Sequence, residues 1–201
     1  MNHNYKHMKC LLFCIIGLFS MASAFADPAK EQEIRSLLEE RDNQIKELLG
    51  PENTDYTDEQ REQLRDIVND MMDYREMAKF ALAEKFDELS SEEQDEFVDL
   101  FSRIIRDQSL QQLDIYRAEV IYEDITVDGD HAKVTTTAIH NERRIPVLYR
   151  MLNRDGEWVI TDMSIDQAWT AESYRRSFQN IIRRRGYDAL LDNLRRRAEQ
   201  A

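Results

Sequence analysis

Residues 120–165 read VIYEDITVDGDHAKVTTTAIHNERRIPVLYRMLNRDGEWVITDMSI, and over this stretch the hydrophobic period falls from the helical value to two. Val120, Tyr122, Asp124 and Thr126 alternate with Ile121, Glu123, Ile125 and Val127, the pattern of a strand. Asp128-Gly129 then supplies a turn that tolerates positive φ. Three further strands are predicted over residues 131–140, 144–152 and 157–165, with turns at 141–143 and 153–156. Short polar connections join antiparallel neighbours, because parallel strands need crossovers of about a dozen residues. The expectation is a four-stranded antiparallel meander.

The third strand carries the most apolar side chains. Ile145, Val147, Tyr149 and Met151 fall on one face, and Leu148 and Leu152 on the other, so burial on both sides is expected. Pro146 has no N–H for a ladder and belongs near a strand start or a bulge.

On either side of this sheet the period is helical. Ile34, Leu37, Leu38, Ile45, Leu48 and Leu49 define a first helix that Gly50-Pro51 stops. Thr57 and Gln60 have the spacing of a reciprocal cap, followed by Leu64, Ile67, Val68 and Met71 on one face. A helix over residues 74–86 carries Met77, Phe80, Ala81 and Leu82. Ser90 with Glu93 opens a long helix striped by Phe97, Leu100, Phe101, Ile104, Ile105 and Leu110. Helix returns over 170–185, is capped by Gly186, and resumes over 187–198. With no internal repeat or linker in view, the reading is one α+β domain: N-terminal helices, the sheet, then C-terminal helices.

The first 26 residues have a different character. Residues 1–9 are polar, with Lys6 and Lys9 and no acid; residues 11–19 are apolar; Ala24-Phe25-Ala26 offers small residues where a signal peptidase reads. An apolar run of about nine residues falls short of the roughly 20 that a spanning helix needs. A cleavable signal peptide over 1–26 is therefore expected, leaving a domain over 27–201. Cys14 does not make a lipoprotein signal, because the bulky Phe13 stands where a small residue is required. Cys10 and Cys14 both leave with the signal, so the mature chain has no disulfide, no thiolate metal site and no cysteine nucleophile. Loss of Lys6 and Lys9 takes the formal charge from −13 to −15. Such a surface repels nucleic acid and anionic bilayers, which bind through concentrated Lys and Arg.

The chain shows no constellation for covalent chemistry and no cofactor motif. His131 and His140 lack partners at metal-ligand spacing, and Asp128-Gly129-Asp130 lacks the remaining ligands of a calcium loop. Arg183-Arg184-Arg185 and Arg195-Arg196-Arg197 fall near helix C-termini, where cations complement the helix dipole; docking to an acidic partner or to lipid headgroups fits the same placement.

Two groups of residues resemble a known family. Met72-Asp73-Tyr74-Arg75-Glu76-Met77-Ala78-Lys79-Phe80-Ala81-Leu82, Leu89-Ser90-Ser91-Glu92-Glu93-Gln94 and Phe97-Val98-Asp99-Leu100-Phe101 are similar to the helical half of the MlaC family, also called toluene-tolerance proteins. Trp158-Val159-Ile160-Thr161-Asp162, then Tyr174-Arg175, Phe178, Ile181-Ile182 and Gly186-Tyr187-Asp188-Ala189-Leu190, resemble its last strand and closing helices. The likeness spans most of the mature chain, in order. It implies a periplasmic phospholipid-binding component of an ABC-type transport system that maintains outer-membrane lipid asymmetry. Such a protein carries lipid between an outer-membrane lipoprotein/porin complex and an inner-membrane transporter, as a monomer and without a cofactor. Where the family has a Gly-Val-Ser-Leu turn, this chain has Gln167-Ala168-Trp169-Thr170, and a hopanoid-associated subgroup stays open as an alternative.

Strand alternation and helix spacing then nominate Val134, Thr136, Val147, Tyr149, Met151, Trp158, Ile160, Trp169, Phe178 and Ile182 as the lining of an apolar lipid cavity. Two other classes compete. A small enzyme on the same fold would need a buried titratable group, such as Asp162 or His140, facing the pocket. An adaptor would have a filled core.

Overall fold

The computed structural model describes residues 27–51, 56–110 and 116–200; the expected signal peptide lies outside them. Helix α1 (Pro28–Leu49) begins where Asp27 accepts the backbone N–H groups of Ala29 and Lys30, and it ends at Gly50, φ +56°. Helix α2 (Asp58–Asp70) starts with the Thr57–Gln60 capping box. Residues 74–86 do not form one helix. Helix α3 (Tyr74–Leu82) stops at Ala83, φ +53°, and a single turn, α4 (Glu84–Asp87), follows. The break frees the Leu82 carbonyl, which accepts the Gln179 side-chain amide at 2.8 Å. Helix α5 (Ser91–Leu110) opens on the second box: the Ser90 N–H donates to Glu93, and the Glu93 N–H to the Ser90 hydroxyl.

Strands β1 (Glu119–Asp128), β2 (His131–His140), β3 (Arg143–Arg154) and β4 (Glu157–Ile165) form the antiparallel meander. The sheet has five strands, not four. Asp166 and Gln167, both at positive φ, turn the chain back as β5 (Ala168–Trp169) against the end of β4. Helix α6 (Thr170–Arg185) follows, then Gly186 and α7 (Tyr187–Ala198).

Two bulges decide which side chains face inward. The β1–β2 register slips between Tyr122 and Asp124, leaving Glu123 and Asp124 both exposed. Val120 and Tyr122 before the slip, and Ile125 and Val127 after it, thereby share one face. The β3–β4 register slips between Arg150 and Met151, which brings Ile160 and Met163 to that same face. The strict alternation expected for β1 is broken for this reason.

Burial of β3 on both faces is also corrected. Val147 and Met151 are buried, but Leu148 and Leu152 are only half-buried, and Arg150 between them is exposed. Helices roof the inner face, whereas on the other the first turn of α6 meets β4 at Asp162 and leaves Arg150 exposed. The Pro146 carbonyl accepts the Asp166 N–H at 3.0 Å, at the margin where the β3–β4 ladder ends, so its missing donor breaks no ladder bond to β2.

The helices pack around Phe97, Phe101 and Phe178, whose rings meet edge to face at 5.7–5.8 Å between α5 and α6. A second core joins Ile34 and Leu38 of α1 to Ile125, Val134, Met151, Trp158 and Ile160 of the sheet. A third, of only Ile45, Leu49 and Leu64, holds α1 to α2. Both arginine runs occupy the last turns of their helices, and Arg195 pairs with Glu96 of α5 at 2.6 Å. Among the described residues no helix is long and apolar enough to cross a membrane.

Candidate functional site

An apolar cavity of about 110 Å³ lies between the inner face of the sheet and the helices α1, α2 and α5. Leu38, Arg41, Asp42 and Ile45 stand on one face of α1 by their spacing of three and four. Leu38 and Ile45 therefore point in, while Arg41 and Asp42 supply polar rim. Each of the two charges is neutralised: Arg41 pairs with Asp70 at 3.0 Å, and Asp42 with Lys46 at 2.7 Å.

The opposite wall is set by the bulges. Tyr122 and Val120 enter from β1, Tyr149 from β3, and Ile160 and Met163 from β4. Val68 comes from α2, Met71 from the residue that follows it, and Ile105 from α5. The α2–α3 connection is pinned to β4, because the Ile160 N–H donates to Met71 and the Asp73 N–H donates to Ile160. That pairing seats Met71 and Met72 in the wall. With Met163 they give it three unbranched, polarisable side chains that adapt to irregular contents.

Burial pushes the hydroxyls of Tyr122 and Tyr149 well above the usual phenol range, and the nearby Asp42 carboxylate reinforces the shift. Both phenols stay neutral at any physiological pH. The cavity is thus an uncharged, mostly hydrocarbon space with hydroxyl donors at one side.

Its size constrains its contents. A dry engineered cavity of about 150 Å³ accepts benzene, and sites for drug-sized ligands span about 300–1,000 Å³. In this conformation there is room for a short apolar segment only. A longer occupant requires the wall to give way.

The sequence-nominated residues are distributed as follows. Tyr149 and Ile160 stand in the cavity wall. Val134, Met151 and Trp158 lie on the same inner face, packed against α1. Val147 sits with Ala118 and Ala138, and the Thr136 hydroxyl donates to its carbonyl at 2.8 Å. Three lie elsewhere. Trp169 stacks on the Arg150 guanidinium, 3.9 Å away, on the face opposite Tyr149 and Met151. Phe178 and Ile182 belong to the core among α3, α5, α6 and α7. Unforeseen were Leu38, Ile45, Val68, Met71 and Ile105, whose helical stripes were visible but not which sheet face they cover, and Val120, Tyr122 and Met163 from the strands.

Neither acid–base candidate reaches the cavity. Asp162 is buried on the Arg150 side, where it accepts the N–H groups of Met163 and Ala171, each at 2.9 Å. Burial raises its pKa, against the lowering effect of those bonds and of Arg150. His140 is half-buried at the end of β2, its ring 3.0 Å from the Asn141 amide.

Comparison with solved structures finds the same fold in a phospholipid-binding protein from Ralstonia solanacearum, determined in complex with a phospholipid. The TM-score is 0.70 at 20% identity, covering 85% of this chain and 97% of that one. No curated protein sequence matches significantly. Residues 39–196, from the middle of α1 into α7, match the model of the MlaC protein family, and the chain belongs to that family.

Proposed function

We propose that this protein is an exported lipid carrier: residues 1–26 are removed on export, and residues 27–201 form one periplasmic domain that encloses phospholipid acyl chains between α1–α2 and the sheet. It moves lipid between an outer-membrane lipoprotein/porin complex and an inner-membrane ABC transporter, and so maintains outer-membrane asymmetry. The observation that carries this reading is the apolar cavity under α1, in a chain of the MlaC family. The phospholipid held by the Ralstonia solanacearum protein supports the choice of ligand.

Lifting α1 from the sheet uncovers Ile34 and Leu38 and also the strand residues beneath them, among them Ile125, Val134, Met151, Trp158 and Ile160. Acyl chains that enter cover that surface again, each buried methylene being worth about 0.8 kcal/mol against water. No bond is made or broken, and the chemistry is shielding alone.

Native mass spectrometry of protein purified from the periplasm tests the reading, with a mature chain beginning at Asp27 and a lipid-sized adduct as the expected result. A chain without co-purifying lipid that also takes none from vesicles would sink it.

A further inference from the structure

Two hydroxyls of the cavity wall lack an acceptor in the protein. Tyr122 and Tyr149 both line the cavity, and neither phenol donates a hydrogen bond to any of the described residues. The Thr136 hydroxyl on the same sheet face is engaged, since it donates to the Val147 carbonyl at 2.8 Å. A donor without an acceptor in an apolar space costs free energy, and a ligand that brings the acceptor removes that cost.

The register sets the two phenols on either side of β2. Tyr122 is opposite Thr136 and Tyr149 opposite Val134, with the backbones of β1 and β3 about 10 Å apart. Val134 and Thr136 fill the floor between them and are fully buried. From the helical side the Arg35 guanidinium lies over the Tyr122 ring, 5.0 Å from its centre, and holds it in place.

The surroundings decide which acceptor fits. After burial, the Asp42 carboxylate acts on both phenols to keep them neutral, and the same carboxylate disfavours an anionic acceptor brought to them. The cations on this part of α1 are already engaged, Arg41 with Asp70 and Lys46 with Asp42. An uncharged acceptor therefore suits the pair. An acyl lipid carries such groups where its tails meet the glycerol: the two ester carbonyls, on neighbouring carbons.

We propose that Tyr122 and Tyr149 read the ester linkage of the cargo, each donating to one acyl carbonyl, so that the carrier takes acyl esters in preference to lipids with the same tails on ether linkages; this rests on the carrier reading above. The tails run on toward Met71, Ile160 and Met163, and the phosphate is left on the solvent side of the rim.

The test offers the mature protein mixed vesicles of diacyl and dialkyl phosphatidylcholine in equal parts, with tails of equal length, and measures bound lipid by native mass spectrometry. Headgroup and vesicle are common to both lipids, so the linkage alone differs. The native chain should take up the diacyl form in about fivefold excess or more. Tyr122→Phe/Tyr149→Phe removes both hydroxyls, keeps both rings and should bring the ratio close to one, with a thermal melt to verify that it is folded. Should the double variant not fold, Tyr122→Phe alone should lower the ratio. Uptake of both lipids in the vesicle ratio by the native chain, or a preference undiminished in a folded variant, overturns the reading of the linkage and leaves the carrier intact. Uptake of neither lipid overturns both.

Discussion

The Oδ1 atom of Asp162 lies 2.9 Å from the backbone nitrogen of Ala171, so a buried carboxylate on β4 caps the first turn of α6. The helix has no cap of its own, since Trp169 at the N-cap position offers no side-chain acceptor. Asp162 also takes the Met163 N–H. Asp162→Ala leaves both donors unpaired and should cost about 2–4 kcal/mol in a denaturant melt. Asp162→Asn keeps an acceptor oxygen and should cost under about 1.5 kcal/mol.

The same carboxyl makes a pH prediction. Its pKa in the fold is raised, chiefly by burial, above the ordinary aspartate value of about 4. Between those two values the native state binds more protons than the unfolded chain, so this group's contribution to stability falls as pH rises through the window. The melting temperature of the native chain minus that of Asp162→Asn should therefore decrease from acid toward neutral pH. A difference that increases instead would contradict the burial argument.

Gln167 has φ +67° in the turn before β5. A side chain there is held in the left-handed region at about 1 kcal/mol. Gln167→Gly should stabilise the protein by about 0.5–1 kcal/mol in a thermal melt. Gly129→Ala is the reverse experiment: φ is +62° and no atom lies within 4 Å of the added methyl, so a loss of about 1 kcal/mol would be of backbone origin.

Val68 is half-buried in the cavity wall on α2. Val68→Phe fills space that is empty here, so it should raise stability by up to about 1 kcal/mol while lowering co-purifying lipid several-fold. Lipid content equal to that of the native chain would place the acyl chains elsewhere.

Helix α2 buries Leu64 alone, whereas α5 buries Phe97, Leu100, Phe101, Ile104 and Ile105. Local opening follows the apolar area at stake. Without lipid, amides of α2 should exchange about tenfold or more faster than those of α5 in hydrogen-exchange mass spectrometry, a difference of about 1.4 kcal/mol. Lipid should slow α2 selectively.

Much of this architecture is local and hence readable from the chain. Both capping boxes, at Thr57–Gln60 and Ser90–Glu93, form as their spacing requires, and β2 and β4 occupy residues 131–140 and 157–165 as their alternation indicates. The bulges are another matter. Nothing in the order Tyr122-Glu123-Asp124-Ile125 says that two consecutive acids face outward; the need to bury Tyr122 and Ile125 together decides it. The break at Ala83 likewise exposes a carbonyl, that of Leu82, whose partner Gln179 is almost a hundred residues away. Most of the cavity wall was hidden for the same reason, Tyr149 and Ile160 excepted. Periodicity assigns Phe178 to an apolar face, but contact with Phe97 and Phe101 decides which core that face joins.

The seating of Met71 and Asp73 on Ile160 bears on solubility. A sheet margin with free N–H and C=O groups is a template for another chain, and one whose apolar face is uncovered is the more hazardous. Here β4 is occupied at Ile160 by the α2–α3 connection and at Ser164 and Ile165 by β5. The β1 margin is bent by its bulge and studded with exposed Glu119, Glu123, Asp124 and Asp128. Both flanks are guarded against polymerisation, so the interior can be bared to a cargo without inviting a second copy to zip on.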